Sequence, residues 1–194
     1  MPVYLRGVLR LSQEGVERVS SQTLAAQIGV HSWQIRKDFS YFGDFGTPGV
    51  GYDVGTLINQ IKGILGLGSV QKVALVGVGN LGTAILTFPG FRMYGFEVSA
   101  AFDMDKRKVG RTKGGVTVED VCELGSLKKR GLELAIIAVP ARAAQEVADR
   151  LVGAGIKGIL NFSPRYISVP KKVKIITIDI AMDLARLPYY LSAS

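Results

Sequence analysis

The sequence predicts an α/β chain in two parts: a small helical unit in the first third, then a larger unit built on a parallel sheet. Three observations predict it. From about residue 70 onward, β-rich apolar runs alternate with helical patterns, as when helices cross between parallel strands. The first of those runs flows into Gly77-Val78-Gly79-Asn80-Leu81-Gly82, spaced G-x-G-x-x-G, and then into a helical pattern. Ahead of it, short helical patterns give way to a segment dense in glycine, Phe42 to Tyr52.

Composition narrows the function classes. The 194 residues suffice for one large domain or two small ones, and 47% apolar with 21% charged residues is ordinary for a soluble protein. One cysteine, Cys122, and one histidine, His31, exclude an internal disulfide and a zinc cluster. Met1 to Arg10 has no apolar signal-peptide region, so a cytoplasmic location is expected. Val73 to Phe91 carries no charge and approaches membrane-spanning length. Its Gly77, Gly79, Asn80, Gly82, Pro89 and Gly90 make a strand, a turn and a helix the better reading, so no membrane is expected; the single cysteine and histidine likewise leave no metal expected. The net charge of +8 is unevenly spread. Through Gly55, Arg6, Arg10, Arg18, Arg36 and Lys37 are matched by Glu14, Glu17, Asp38, Asp44 and Asp53. The excess lies in Lys106-Arg107-Lys108, Lys128-Lys129-Arg130 and Lys171-Lys172, runs that read as solvated surface.

In the first third, Ser20 to Val30 reads as the first half of a helix-turn-helix. Ser20 is the N-cap, Leu24, Ala25 and Ile28 face a core, and Gly29 supplies the left-handed end. A second helix is expected from about Ser32 to Tyr41, with Ile35 and Phe39 inward at i, i+4. Trp33, Gln34, Arg36, Lys37 and Ser40 then lie on other sides. Gln and Arg make bidentate contacts to base edges, while Lys37 and Ser40 suit phosphates. Phe42 to Tyr52 has the glycine and proline spacing of a tight hairpin, placed where a winged-helix unit carries its wing. The DNA-contact set expected is Ser32, Trp33, Gln34, Arg36, Lys37, Ser40, Tyr41, Gly46 and Thr47. The alternative is a helical cap that touches no DNA, and Asp38 favours it, since a carboxylate repels phosphate unless it pairs locally.

Asp53 to Leu65 reads as a linking helix. Beyond it, strands are expected near 72–78, 97–103, 116–118, 134–139, 158–161 and 174–179. Helices are expected near 81–87, 118–124, 141–154 and 181–191. Together these make a Rossmann-type parallel sheet. The domain reading is a winged-helix unit over 1–52, a linking helix within 53–70, a Rossmann-type unit over 71–180 and a C-terminal helix over 181–194.

In the glycine fingerprint, Gly77 makes the turn, Gly79 lets the backbone approach a pyrophosphate at a helix N-terminus, and Gly82 lets helix and strand pack closely. The second strand ends in Asp103, about 20 residues past the glycines, where a carboxylate accepts from ribose hydroxyls and repels a 2′-phosphate. That favours NAD(H), although Lys106 and Arg107 lie near enough to serve a phosphate. Ligands sit at the carboxyl ends of such strands. The cofactor set is therefore Gly77, Gly79, Asn80, Leu81, Gly82, Asp103 and the loop residues Val139, Pro140 and Asn161, with ordinary strand-to-helix turns as the alternative for the last three.

A dehydrogenase needs a proton donor beside the reacting carbon. The one histidine lies in the DNA-reading region, and no tyrosine is followed four residues later by lysine. No separate substrate domain is visible. No catalytic residue is expected, and sensing is the better use of the cofactor. The rivals are an NAD(H)-dependent enzyme with a helical appendage and a non-catalytic CoA- or nucleotide-binding protein.

Gln34-Ile35-Arg36-Lys37-Asp38, Tyr41-Phe42-Gly43, Gly49-Val50-Gly51-Tyr52, the glycine fingerprint, Phe102-Asp103, Lys157 to Phe162 and Pro164 strongly resemble the Rex family of bacterial redox-sensing repressors. The likeness spans almost the whole chain. It implies a transcriptional repressor that binds inverted-repeat operator DNA as a homodimer, with TTGTGA-type half-sites, and that NADH releases. It also implies that the C-terminal helix swaps into the partner. By position, Arg36 and Lys37 match DNA contacts and Asp103 the ribose carboxylate. Tyr94 and Asp179 match a pair bridging protomers near the nicotinamide, and Arg6 a cation that exchanges partners with that Asp. Two departures stand out. The chain opens at Met1-Pro2-Val3-Tyr4, later than the family pattern, implying a shorter first helix, and Ile180 replaces an aromatic near the nicotinamide.

Overall fold

α1 (Pro2–Gln13) carries a proline in its first turn, where a missing N–H leaves no bond unmade. β1 (Arg18–Val19), α2 (Ser21–Ile28), α3 (Ser32–Ser40), β2 (Tyr52–Asp53) and α4 (Val54–Ile64) follow. The structure, a computed structural model, describes residues 1–43, 45–46 and 49–192. It divides into two units, Met1–Ser69 and Val70–Ser194. In the first, Val8, Leu24, Ile35, Phe39, Leu57 and Ile61, drawn from all four helices, are fully buried. The expected linking helix is thus built into this unit: α4 buries Val54, Leu57 and Ile61, and Asp53 caps it by accepting from the Thr56 N–H at 2.8 Å.

Of the expected tight hairpin, Phe42 to Tyr52, residues 44, 47 and 48 lie outside the described residues. β2 pairs antiparallel with β1, which precedes the helix pair, in the register Arg18↔Asp53 and Val19↔Tyr52. Among the described residues from Phe42 to Val50 no strand forms. Gly46 instead lies so close to the Gly51 carbonyl that a Cβ would stand 2.7 Å from it. The base of the wing region is therefore closed by chain from both sides of the helix-turn-helix.

The second unit runs β3 (Gln71–Val76), α5 (Asn80–Thr87), α6 (Gly90–Met93), β4 (Phe96–Asp103), β5 (Thr112–Lys113), β6 (Val116–Asp120), a 3₁₀ helix (Val121–Lys128), β7 (Leu134–Ile137), α7 (Ala141–Gly153), β8 (Gly158–Asn161), β9 (Lys174–Thr177) and α8 (Ile180–Ser192). The sheet order is β5-β6-β4-β3-β7-β8-β9, parallel except for the β5–β6 edge. The order reverses between β3 and β7, which is where such sheets bind ligands. Alternation sorts β3: Ala74 and Val76 pack with Ala144, Ala148 and Leu151 of α7, while Val73 and Leu75 pack with Ile85 and Leu86 of α5. One expected helix is corrected. Residues 118–124 are not an α-helix, because β6 continues to Asp120. Asp120 then caps the 3₁₀ helix through the Cys122 N–H at 2.9 Å, and Gly125 inside it disfavours an α-helical run. No described helix is long and apolar enough to cross a membrane.

Candidate nucleic-acid and dinucleotide sites

α2 and α3 form as expected. The Ser20 hydroxyl accepts from the Thr23 N–H at 3.0 Å, and Gly29 turns the chain with φ +71°. α3 buries Ile35 and Phe39 and leaves Trp33, Arg36, Lys37 and Ser40 outward, with Gln34 and Ser32 half-buried at its edges. Tyr41 follows, 74% exposed. An exposed indole and phenol beside two cations are groups able to contact a nucleic-acid backbone. The Arg36 guanidinium donates to Ser21 Oγ at 2.9 Å, which holds its head at the N-terminus of α2. Ser40 Oγ donates to the Lys37 carbonyl at 2.8 Å, so the hydroxyl keeps acceptor capacity only. Gly46 is required by close packing on Gly51 and the Tyr52 ring. Thr47, also expected at this surface, lies outside the described residues.

The Phe39 ring anchors the helix from below. It stacks on Phe45 at 4.7 Å and meets Tyr4 and Tyr52 edge-on, each at 5.3 Å between centroids. Tyr4 also donates its phenol to Asp38. Sequence reading left Asp38 as an objection to DNA binding unless it paired locally. Its local partner is a buried tyrosine 34 residues away, which no spacing rule signals. Burial, then the bond to Asp38 and its charge, push the Tyr4 phenol up to about 12.

The glycine fingerprint is met atom by atom. Gly77 has φ +96°, and a Cβ there would lie 2.5 Å from the Ala138 carbonyl oxygen, on the β7 side of the order reversal. A Cβ on Gly82 would lie 1.9 Å from the Gly77 oxygen. Gly79, the N-cap of α5, has nothing within 4 Å of where a Cβ would sit. The glycine that should admit a pyrophosphate thus faces open space, beside the exposed Asn80 and Leu81 and the unpaired first-turn N–H groups of a helix.

Asp103 ends β4 next to this loop, 6% exposed. Its Oδ2 accepts from the Val78 N–H at 2.8 Å and from Lys108 Nζ at 2.9 Å, and its Oδ1 accepts from the Asp105 N–H at 2.8 Å. Burial alone pushes the carboxyl up. The Asp105 N–H, the Lys108 ammonium and the Val78 N–H together more than reverse this, holding the carboxyl below the usual range and ionised. Lys106 and Arg107, near enough in sequence to serve a ribose phosphate, form surface pairs with Asp120 and Asp105. An open glycine N-cap beside a buried, ionised acceptor fits a dinucleotide with an unphosphorylated ribose.

The later loops divide. Val139 is half-buried with its Cγ1 against Gly77, and the exposed Pro140 caps α7, so both border the reversal point. Asn161 does not. It is fully buried, and its amide donates to the Ser163 and Arg165 carbonyls and to Thr177 Oγ1 while its Oδ1 accepts from the Ser163 N–H at 2.9 Å. Its side chain shapes the loop from within the fold. That loop holds Ser163, 1% exposed, whose hydroxyl has no partner. Tyr94 is expected to pair across protomers rather than within its own chain. It closes α6 two residues before β4 begins, at the amino ends of the strands and opposite the glycine loop. Asp179 caps α8, accepting from the Met182 N–H at 3.1 Å. Among the described residues no His/Cys/Asp/Glu group is arranged to hold a metal.

Comparison with known proteins bears on both sites. The family described as "Putative DNA-binding protein N-terminus" matches residues 1–40, and "CoA binding domain" matches residues 69–165. "Redox-sensing transcriptional repressor Rex" of Roseiflexus sp. (strain RS-1) is 47% identical over 99% of this chain and 88% of its own length. The Streptomyces coelicolor protein of the same name is 44% identical over 98% of this chain and 74% of its own. Among solved structures, RSP in complex with β-NAD+ and operator DNA is similar over 99% of this chain and 89% of its own, with TM-score 0.89 and 36% identity. RSP in complex with β-NADH is similar over 99% and 90%, with TM-score 0.85 and 35% identity.

Proposed function

The chain belongs to the Rex family of redox-sensing transcriptional repressors, and on that premise we propose how its own residues read operator DNA and the NADH/NAD+ balance. It is a DNA-binding repressor that NADH releases, and it is not an enzyme: its curated relatives are named as repressors. The observation that carries this reading is the open N-cap at Gly79 beside the ionised Asp103, in a chain that also presents an outward-facing α3. Gly77, Gly79, Asn80, Leu81 and Gly82 form the pyrophosphate cradle, and Asp103 takes the adenosine ribose. Val139 and Pro140 border the nicotinamide end. Trp33, Gln34, Arg36, Lys37, Ser40 and Tyr41 face the groove.

The working species is a homodimer. α8 exposes Ile180, Leu184, Leu187 and Leu191, each more than half exposed in the single chain. Their i, i+4, i+7, i+11 spacing makes one apolar stripe. An exposed stripe of this kind marks a surface that another partner covers, and the swapped helix of a second copy is the occupant proposed. Two reading helices then enter successive major grooves about 34 Å apart. Asp179 caps the same helix, and Arg6, exposed on α1, is the cation proposed to meet it across the dimer.

The reduced nicotinamide ring is neutral and the oxidised one cationic, and a dry niche disfavours an unpaired cation. The apolar walls that Val139 and its neighbours contribute therefore favour the reduced form. If closure of the dimer completes those walls, the reduced form favours a spacing of the reading helices that no longer fits the operator. A CoA ligand, which the second family description brings to mind, would set its ribose 3′-phosphate against the Asp103 carboxylate. The test is titration of an inverted-repeat operator, read by fluorescence of the single tryptophan, Trp33, with NADH, NAD+ or CoA added. NADH should release the DNA while NAD+ and CoA do not. Release by CoA, or indifference to NADH, overturns the assignment.

A further inference from the structure

Lys106-Arg107-Lys108 reads from sequence as solvated surface, yet each of the three cations is paired with a different carboxylate: Asp120, Asp105 and Asp103. Two of these pairs are superficial. Lys106 and Arg107 are 79% and 87% exposed, where an ion pair constrains little. The third is not. The Lys108 side chain is 32% exposed and that of Asp103 only 8%, with 2.9 Å between Nζ and Oδ2.

The lone pairs of Asp103 show what this contact does. A carboxylate offers about four acceptor sites. Val78 N–H and Lys108 occupy Oδ2, and the Asp105 N–H occupies one site of Oδ1. The remaining capacity is on Oδ1, so Lys108 helps fix which oxygen faces a ribose hydroxyl. A buried carboxylate that lost this cation would be short of one charged donor. The same ammonium sits one hydrogen bond from the group that selects the ribose.

We propose that Lys108 is a specificity-determining residue of the coenzyme site. It positions Asp103 for an unphosphorylated ribose, and it is a reserve cation for a ribose phosphate that the Asp103 charge keeps silent. The proposal rests on the NAD(H) reading above. It predicts that removing the carboxylate does more than weaken NADH: it uncovers a phosphate-binding ammonium.

The test is direct binding of NADH and of NADPH, by calorimetry, to the full-length wild type, Asp103→Ser, Lys108→Met, Lys108→Arg and the double variant Asp103→Ser/Lys108→Met. Wild type should prefer NADH. Asp103→Ser should reverse the preference, and the double variant should lose the NADPH gain by about tenfold or more, the scale of one charge-assisted bond. Lys108→Met alone should weaken NADH about tenfold, with Lys108→Arg restoring most of it, on the same scale. The preference reversal and the Arg rescue are readouts that simple loosening of the loop does not produce. An NADPH gain that survives loss of Lys108, or that vanishes with Lys106→Met instead, overturns the proposal. So does a folded Lys108→Met protein that binds NADH as wild type does, which settles the matter even if Asp103→Ser fails to fold. Failure of wild type to bind NADH at all would instead strike the coenzyme reading itself.

Discussion

Two glycines three residues apart separate ligand binding from folding. At Gly82 a methyl group would lie 1.9 Å from the Gly77 carbonyl oxygen and 2.9 Å from its carbon. Backbone must move by more than an ångström to admit it, so Gly82→Ala carries an overpacking cost of about 2–4 kcal/mol, at or beyond the upper end for cores. At Gly79 the same methyl meets nothing within 4 Å, and φ −78° with ψ −158° is extended backbone open to any residue. Losing glycine at an N-cap costs up to about 1 kcal/mol, partly offset by the stiffer unfolded chain. Gly79→Ala should therefore melt within a few degrees of wild type, whereas Gly82→Ala should melt about 5–15 °C lower.

The ligand sees the opposite ranking. The space that makes Gly79→Ala harmless to the fold is the space a pyrophosphate needs, so this variant should bind NADH at least about thirtyfold more weakly. Because α3 is untouched, Gly79→Ala should hold the operator normally and stay bound at NADH concentrations that strip wild type. Thermal melting, NADH titration and operator shift on the same preparations decide it. Near-normal NADH affinity in Gly79→Ala would mean that the open space is not the pyrophosphate site. A Gly82→Ala protein with unchanged melting would refute the packing argument.

Arg36→Ala should weaken the operator by about 1–3 kcal/mol while leaving NADH affinity unchanged, by gel shift at fixed salt; normal operator binding would remove Arg36 from the reading set. Tyr4→Phe should cost about 1–2 kcal/mol, the scale of a hydrogen bond to a charged group. Because the Tyr4 phenol is raised from 10.0 to about 12 when folded, the folded state holds the proton more tightly, and the stability it contributes is complete below pH 10 and lost as pH climbs to 12. Denaturant melts across that range should show this loss in wild type and lack its Tyr4 component in Tyr4→Phe. Leu184→Asp with Leu187→Asp should turn the dimer into a monomer in sedimentation equilibrium and abolish tight operator binding; a dimer that survives would move the interface away from α8.

What the sequence disclosed and what it withheld follow the range of the interactions. Ser20, Gly29 and Asp53 act on residues within four positions of themselves, and each does what its local pattern says. The glycine fingerprint is likewise local, and its three glycines fall into three separate roles. The failures are long-range or competitive. β1 is two residues long and finds its partner across the helix pair, so no alternation announces it. Residues 118–120 open with strand-forming Val118 but continue with Glu119 and Asp120, and pairing with the neighbouring β4, Ala101↔Val118 and Phe102↔Glu119, carries the strand through them. Asn161 stands at the right strand end for a ligand contact, but its side chain is fully buried and makes four intramolecular bonds. Strand-end position alone does not reveal that.

The net charge of +8 illustrates why global balance is a poor guide to where DNA binds. Residues 1–69 hold six basic and five acidic side chains, so the unit with the reading helix is nearly neutral and the second unit carries +7 of the total. An electrostatic footprint of the non-specific kind would need the excess on the DNA-facing unit. What this unit has instead is arrangement. Asp38 is drawn onto Tyr4 and Arg36 is held at the start of α2 by Ser21, while Lys37 and Trp33 remain exposed. In the proposed dimer, affinity built this way would depend on two such helices being correctly spaced, because neither has the bulk charge to stay bound alone. A switch that acts only by changing spacing requires that condition: were one unit strongly basic, DNA would stay attached after the helices moved apart.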